Sequence, residues 1–288
     1  MFRSKPFSLA GILVVLLALI AAGCGGGGKE SAGTTTETTA SGGASITAPA
    51  AISSAGKLAF CSDITYPPEE FYEGSKPVGS DIDIGTEIAK RMGVKAEFDN
   101  TGFDGIIPAL LGKKCDAIIS GMNDTPERRK QVFFVDYIKV GQSFMVKKGN
   151  PENITGIPSL AGKSASVEVG TTNKDFLDAE SKKLQAQGKK RIDVVTFPKD
   201  TDAANALKTG KVDAYFGDAP VVAYYIEKDP ASFAFGGKPV NPIPVGIAIR
   251  KGDTELQQAV QQAVDAMYAD GTMKKILDKW QLGDTALK

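Results

Sequence analysis

The chain of 288 residues carries 34 Lys and Arg against 34 Asp and Glu, with three cysteines and no histidine. That length suits one large domain or two of ordinary size, and balanced charge exerts no pull toward nucleic acid or an anionic surface. The missing histidine excludes a Ser-His-Asp or Cys-His nucleophile, a histidine general base and any His-ligated metal, and three cysteines are too few for a Cys-only zinc site or a cluster. A catalyst would have to work with carboxylates, Lys, Tyr or Ser. Binding is therefore favoured over chemistry, with neither cofactor nor metal expected.

Arg3 and Lys5 precede an unbroken apolar run of 14 residues, from Leu9 to Ala22. Such a run is too short to span a bilayer and fits the core of a signal peptide. Ala21-Ala22-Gly23 leads directly into Cys24, an arrangement similar to a bacterial lipoprotein signal. That similarity implies removal of residues 1–23, lipidation of Cys24 and attachment to a membrane through the lipid. Next comes a stretch in which 25 of the 31 residues from 25 to 55 are Gly, Ser, Thr or Ala. It has little to bury and reads as a flexible tether, so residues 24–56 are expected to be linker.

From Lys57 onward, short β-type runs alternate with helical ones. Strands are expected over residues 58–61, 96–98, 117–120, 144–146, 165–169, 194–197, 214–216 and 246–249. Helices are expected over 84–92, 104–112, 174–187, 203–209, 220–227, 254–269 and 272–280. In the first of these, Ile84, Ile88 and Met92 share a face. The alternation predicts an α/β fold with largely parallel sheets. Residues 109–117 and 206–214 also align without gaps, with five identities in nine positions. Similar αβ turns explain that echo as well as two lobes built on one plan do. In the two-lobed design the ligand lies in a cleft beyond the carboxyl ends of the strands.

Polar and aromatic residues gather at those ends. Cys61-Ser62-Asp63-Ile64-Thr65-Tyr66 follows the first strand, and Phe103-Asp104-Gly105 opens a helix. Ser120-Gly121-Met122-Asn123-Asp124-Thr125-Pro126-Glu127-Arg128 runs from a strand into a helix, with Thr125 placed to cap it and Pro126 at its first position. Arg128 in that first turn is disfavoured by the helix dipole. It is either a solvated surface residue or an anion-binding one. In Glu168-Val169-Gly170-Thr171-Thr172 a strand meets a helix whose first N–H groups form an anion seat or take a plain Thr cap. Asp218, before Ala219-Pro220, reads on its own as an N-cap.

Taken in order along the chain, these segments resemble the family 3 extracellular solute-binding proteins, receptors for polar amino acids that feed ABC importers. Val78-Gly79-Ser80-Asp81-Ile82-Asp83-Ile84, Phe134-Val135-Asp136-Tyr137 and Met267-Tyr268-Ala269-Asp270-Gly271-Thr272 before Trp280 strengthen the resemblance, which extends from about Lys57 to Leu282. It implies a type II periplasmic-binding-protein fold of two lobes, residues 57–140 with 245–288 and residues 141–244, joined by crossing segments near 139–143 and 240–244. It implies a monomer whose partners are an amino acid and the permease subunits of a transporter. Tyr66 and Phe103 would flank the ligand side chain. Arg128, helped by the Thr172 N–H, would grip its α-carboxylate, and Asp218, the Gly121 carbonyl and Asn123 would take its α-ammonium. Asp63 would meet the tip of the side chain. Asn123 departs from the family's usual Ser or Thr, Ser80 from its common Phe, Glu70 from its usual Pro-Phe and Glu168 from residues that are often neutral or basic.

The ligand expected is thus an L-amino acid, polar or basic, with Asp63 and Glu168 as the acidic groups that favour a cation. Two other classes stay open: a cyclohexadienyl dehydratase-like enzyme using Glu168 as its acid/base, and a ligand-sensing ectodomain acting through a separate partner. Export places Cys61 and Cys115 in an oxidising compartment on strands expected to be neighbours, and a disulfide between them is predicted.

Overall fold

The computed structural model describes residues 45–287. The predicted signal segment and Cys24 lie outside them. The first element, α1 (Ala50–Ala55), falls inside the stretch expected to be flexible. The Ile46 N–H bonds to the Arg91 carbonyl at 2.9 Å, and Ile52 is 5% exposed within the core. Two isoleucines in an otherwise small, polar stretch are enough to dock it, so the linker ends well before residue 56.

The chain continues through β1 (Lys57–Ser62), a hairpin of β2 (Phe71–Glu73) and β3 (Lys76–Val78), α2 (Ser80–Arg91), β4 (Lys95–Asn100), α3 (Ile106–Leu111), β5 (Ala117–Ile118) and the one-turn α4 (Pro126–Arg129). The 16-residue β6 (Val132–Lys147) leads into β7 (Ser164–Glu168), α5 (Thr172–Ala186), β8 (Asp193–Phe197), α6 (Asp200–Lys208), β9 (Ala214–Asp218), α7 (Ala219–Lys228) and β10 (Phe233–Phe235). The return strand β11 (Val240–Arg250) and helices α8 (Thr254–Ala269) and α9 (Thr272–Lys279) complete it.

Two groups of parallel strands result, β4-β1-β5 and β9-β7-β8, with β11 and β6 antiparallel between them. The hydrogen-bonded path is continuous because β6 serves both groups. Its residues 132–140 pair with β11, and its residues 142–146 pair with β9. The chain thus crosses along the middle of β6 and the amino-terminal end of β11, which meet where Gln142 pairs with Val240. Separate cores lie to either side. One is built on Phe60, Ile84, Ile88, Ile247, Val260 and Leu277, the other on Phe144, Val167, Leu177, Leu207, Tyr215 and Phe216. The carboxy-terminal helices α8 and α9 return to the first core, as a two-lobed α/β protein requires.

The repeated turn is physically the same device in both lobes. The Ala59 N–H donates to the Asp116 carboxylate at 2.9 Å, and the Ser164 N–H donates to Asp213 at 2.8 Å. The left-handed position falls on Lys113 (φ 61°) in one copy and Gly210 (φ 75°) in the other. Cys61 and Cys115 are joined by a disulfide with Cα atoms 5.6 Å apart.

Candidate functional site

The site lies where strand ends of both lobes face each other. Seven of the nine predicted ligand residues, Asp63, Tyr66, Phe103, Gly121, Asn123, Glu168 and Asp218, line one small, nearly closed cavity. Thr171, part of the expected anion seat, and Asn173, not expected from sequence, complete its wall.

Arg128 stands at its edge rather than on the solvated surface. Thr125 caps α4 by accepting the Arg128 N–H at 3.2 Å, which fixes the residue's backbone. The guanidinium donates from Nη1 to the Asn123 carbonyl (2.8 Å) and from Nη2 to the Gly170 carbonyl (3.1 Å), and lies 5.3 Å from the centroid of the Phe103 ring. Two neutral carbonyls and an aromatic face orient it without neutralising it. Burial lowers its pKa, the direction expected when a cation leaves water without an ionic partner. Donors remain for a planar anion.

Asp218 provides the opposite charge, 2% exposed at the end of β9. It occupies the N-cap position of α7, as expected, but its side chain makes no capping bond there. The carboxylate instead faces the cavity, near the Asn123 amide at 3.5 Å, with Oδ1 unpartnered. Burial pushes its pKa up to about 6, against hydrogen bonds from Asn173, Tyr66 and Asn123 that favour the ionised form. A bound ammonium would supply the missing partner.

Asn123 is used differently from the expectation. Its Oδ1 accepts the Thr172 hydroxyl and its Nδ2 points toward Asp218, so the amide spans the two lobes before any ligand is considered. Thr172, the first residue of α5, therefore spends its side chain on Asn123 and on Gln142, whose amide donates at 3.2 Å. Thr171 does the capping, accepting from the Lys174 N–H at 3.2 Å. Apart from the Lys174 N–H that Thr171 accepts, the first-turn N–H groups of α5 lack intrahelical acceptors, as at any helix start.

The far end of the cavity is acidic. Asp63 accepts from the Thr65 hydroxyl (2.7 Å) and the Phe103 N–H (2.8 Å). Glu168 is 3% exposed and lines the cavity with Asp63, its Oε1 without a hydrogen-bond partner. Burial, followed by the charges of Asp200 and Asp63, holds its carboxyl well above the usual range. Asp200 accepts from Tyr215 (2.5 Å) and Tyr225 (3.0 Å), and burial pushes it up to about 7. Sequence reading missed Asp200 and Asn173, because an acid or amide at the start of a helix is commonly just a cap. Glu70, flagged as unusual, is fully buried and accepts from Ser120 at 2.8 Å beneath the Gly121 turn. Among the described residues no group of three or more His, Cys, Asp or Glu is arranged to hold a metal.

The model of the bacterial extracellular solute-binding proteins, family 3, matches residues 58–283. The ABC transporter arginine-binding protein 1 of Escherichia coli K12 is 32% identical over 233 residues, which cover 79% of this chain and 92% of that protein. A solved ancestral arginine-binding protein bound to arginine is 39% identical with a TM-score of 0.73, covering 78% of this chain and 98% of that one. An ancestral amino-acid-binding protein, described as a precursor of cyclohexadienyl dehydratase, is 35% identical at the same TM-score, covering 80% and 97%.

Proposed function

The chain belongs to the bacterial extracellular solute-binding proteins, family 3, and on that premise we propose that it is an extracytoplasmic receptor that captures an L-amino acid by closing its lobes and delivers it to an ABC importer. The observation that carries this reading is the pair of Arg128, half-buried at the edge of the cavity, and Asp218, buried in its wall, neither of them in a salt bridge among the described residues. A zwitterion's carboxylate and ammonium would complete both. A planar guanidinium meets the first in two parallel bonds, and an unpartnered carboxylate meets the second. The acidic end, with Asp63 and Glu168 beside the rings of Tyr66 and Phe103, favours a polar or basic side chain, because aromatic faces attract a cation by roughly 0.5–2 kcal/mol. The protein is read as a monomer, lipidated on Cys24 after removal of residues 1–23, and as a binder without catalytic turnover.

A thermal-shift screen against the twenty amino acids tests this. A ligand at 100 times its dissociation constant adds about 2.7 kcal/mol of stability. Arg128→Ala should lose every ligand, because stripping one partner from a buried charge pair costs about 2–5 kcal/mol. Asp63→Asn should weaken cationic ligands selectively, and unchanged arginine and lysine affinity would remove the basic preference while leaving the receptor role. Glu168 favours a second reading, since a buried carboxyl that keeps its proton is also a general acid. Incubation with prephenate or arogenate should yield no aromatic product; turnover would make the chain a dehydratase.

A further inference from the structure

The acidic end of the cavity holds more carboxyl groups than its surroundings can keep ionised together. Asp63 directly follows β1, Glu168 ends β7 and Asp200 begins α6, and all three are at least 97% buried. Asp63 and Glu168 line the same cavity, where two unpaired carboxylates side by side would repel, so one of them keeps its proton. Asp63 accepts on both oxygens, from Thr65 and Phe103, which favours its anion, whereas the Glu168 Oε1 has no partner, so Glu168 is the group that stays protonated. Asp200 adds a third carboxyl, satisfied by two neutral tyrosines rather than by a cation.

The groups packed around this cluster do not relieve it. From the second lobe come Tyr215 on β9, Tyr225 on α7 and Asp218, none of them cationic. From the first lobe come Tyr66 and the buried Glu70, also uncharged or acidic. Lys199, just before α6, acts on Asp63 through space, but no Lys or Arg among the described residues bonds to Asp63, Glu168 or Asp200. The one guanidinium at the cavity, Arg128, is engaged at the opposite end.

We infer that the site admits a cationic side chain by exchanging it for a proton. The O–H bond of the Glu168 carboxyl breaks, the proton leaves to solvent, and the carboxylate formed pairs with the incoming guanidinium or ammonium beside Asp63. A neutral side chain leaves the proton in place and hydrogen-bonds to the acid as it stands. Asp200 acts through Glu168 as a positioning residue, since its nearby buried carboxyl helps keep the proton there. This inference rests on the reading of the chain as an amino-acid receptor and adds a rule for which side chains bind at which pH. With one proton exchanged, arginine affinity should rise about tenfold per pH unit while Glu168 starts protonated, and glutamine affinity should not follow it.

Calorimetric titration of the protein with L-arginine and with L-glutamine, in buffers of different ionisation enthalpy at neutral pH, counts the protons. Release should be greater for arginine than for glutamine by about one proton, the difference cancelling any contribution from Arg128 and Asp218, which meet the same α-groups in both. In Glu168→Gln, checked for fold by circular dichroism, that difference should vanish. In Asp200→Asn the pH profile of arginine affinity should move to lower pH. Arginine binding with the same proton count as glutamine, or a difference that persists in Glu168→Gln, overturns the exchange and leaves the receptor reading intact. Binding of glutamine with no binding of arginine removes the basic preference and the exchange together.

Discussion

Gly121 answers two demands at once. Its φ of 47° lies in the left-handed region, and a Cβ there would sit 2.9 Å from the Tyr66 ring. Its N–H is held by the buried Asp81 carboxylate at 2.8 Å, so the turn cannot slide away. A Gly121→Ala substitution should therefore cost about 1–3 kcal/mol of stability by urea denaturation, and weaken every ligand by displacing Tyr66. Equal stability and unchanged affinity would show that the turn relaxes freely. At this scale the sequence was legible wherever a residue type had few other uses. Arg128, disfavoured in the first turn of a helix, was open to a surface or an anion-binding role, and the structure places it at the edge of the cavity. Asn123 and Thr172 were legible as participants but not in their geometry, because a short polar side chain meets whichever neighbour the fold presents. Asp200 and Asn173 carried no signal, since both sit where a helix start explains them.

At the scale of elements, strands covered on both faces declared themselves by apolar runs, and amphipathic helices by their periodicity. The amino-terminal half of β6 did not. Asp136 and Lys139 interrupt its apolar pattern, although Val135, Tyr137, Ile138 and Val140 around them are buried in the first core. Helix α1 was hidden by composition, since its six residues offer one buried side chain, Ile52. The Asp116 and Asp213 turns show the opposite case, in which a short local repeat marks a real structural one. The disulfide fastens the first of these turns to β1 and closes a loop with a sequence separation of 54 residues. Chain-entropy arguments give such a loop about 4 kcal/mol, and native disulfides typically contribute 2–5. Thiol titration of the denatured, unreduced protein should find neither Cys61 nor Cys115 free, and Cys61→Ser/Cys115→Ser should lose stability on this scale. Two free thiols, or a double variant as stable as the parent, would contradict the bond.

For the whole molecule, the density of buried carboxyls sets how stability depends on pH. Burial pushes Asp81 and Asp218 up to about 6 and Asp200 up to about 7, whereas an unfolded chain releases the same protons near pH 4. Between about pH 4 and 7 the folded state binds more protons, so stability falls as pH rises through that window. Asp270, lowered to about 2 chiefly by its bonds to Thr272, acts in the reverse sense but is nearly exposed and screened. Scanning calorimetry of the ligand-free protein should give a higher melting temperature near pH 5 than near pH 8; the opposite order would mean that these acids are ionised in the fold. The same lobes that hide those acids also meet away from the ligand. Phe71 on the β2–β3 hairpin packs on Tyr224 of α7 with ring centroids 5.4 Å apart and on Trp280 at 5.8 Å, and Gln281 reaches Glu227 at 3.3 Å. The Phe71–Tyr224 and Gln281–Glu227 contacts join the two lobes, so swinging the lobes apart would break them. They contribute to closure without touching the ligand, and an aromatic pair of this kind is worth about 0.5–1.5 kcal/mol. A ligand that binds only the closed form loses affinity in proportion to that form's population. Phe71→Ala should therefore raise the dissociation constants of all ligands by one common factor, about 2- to 13-fold. Calorimetry with a basic and a neutral amino acid measures that factor directly, and a loss that differs between the two ligands would place Phe71 in recognition rather than in closure.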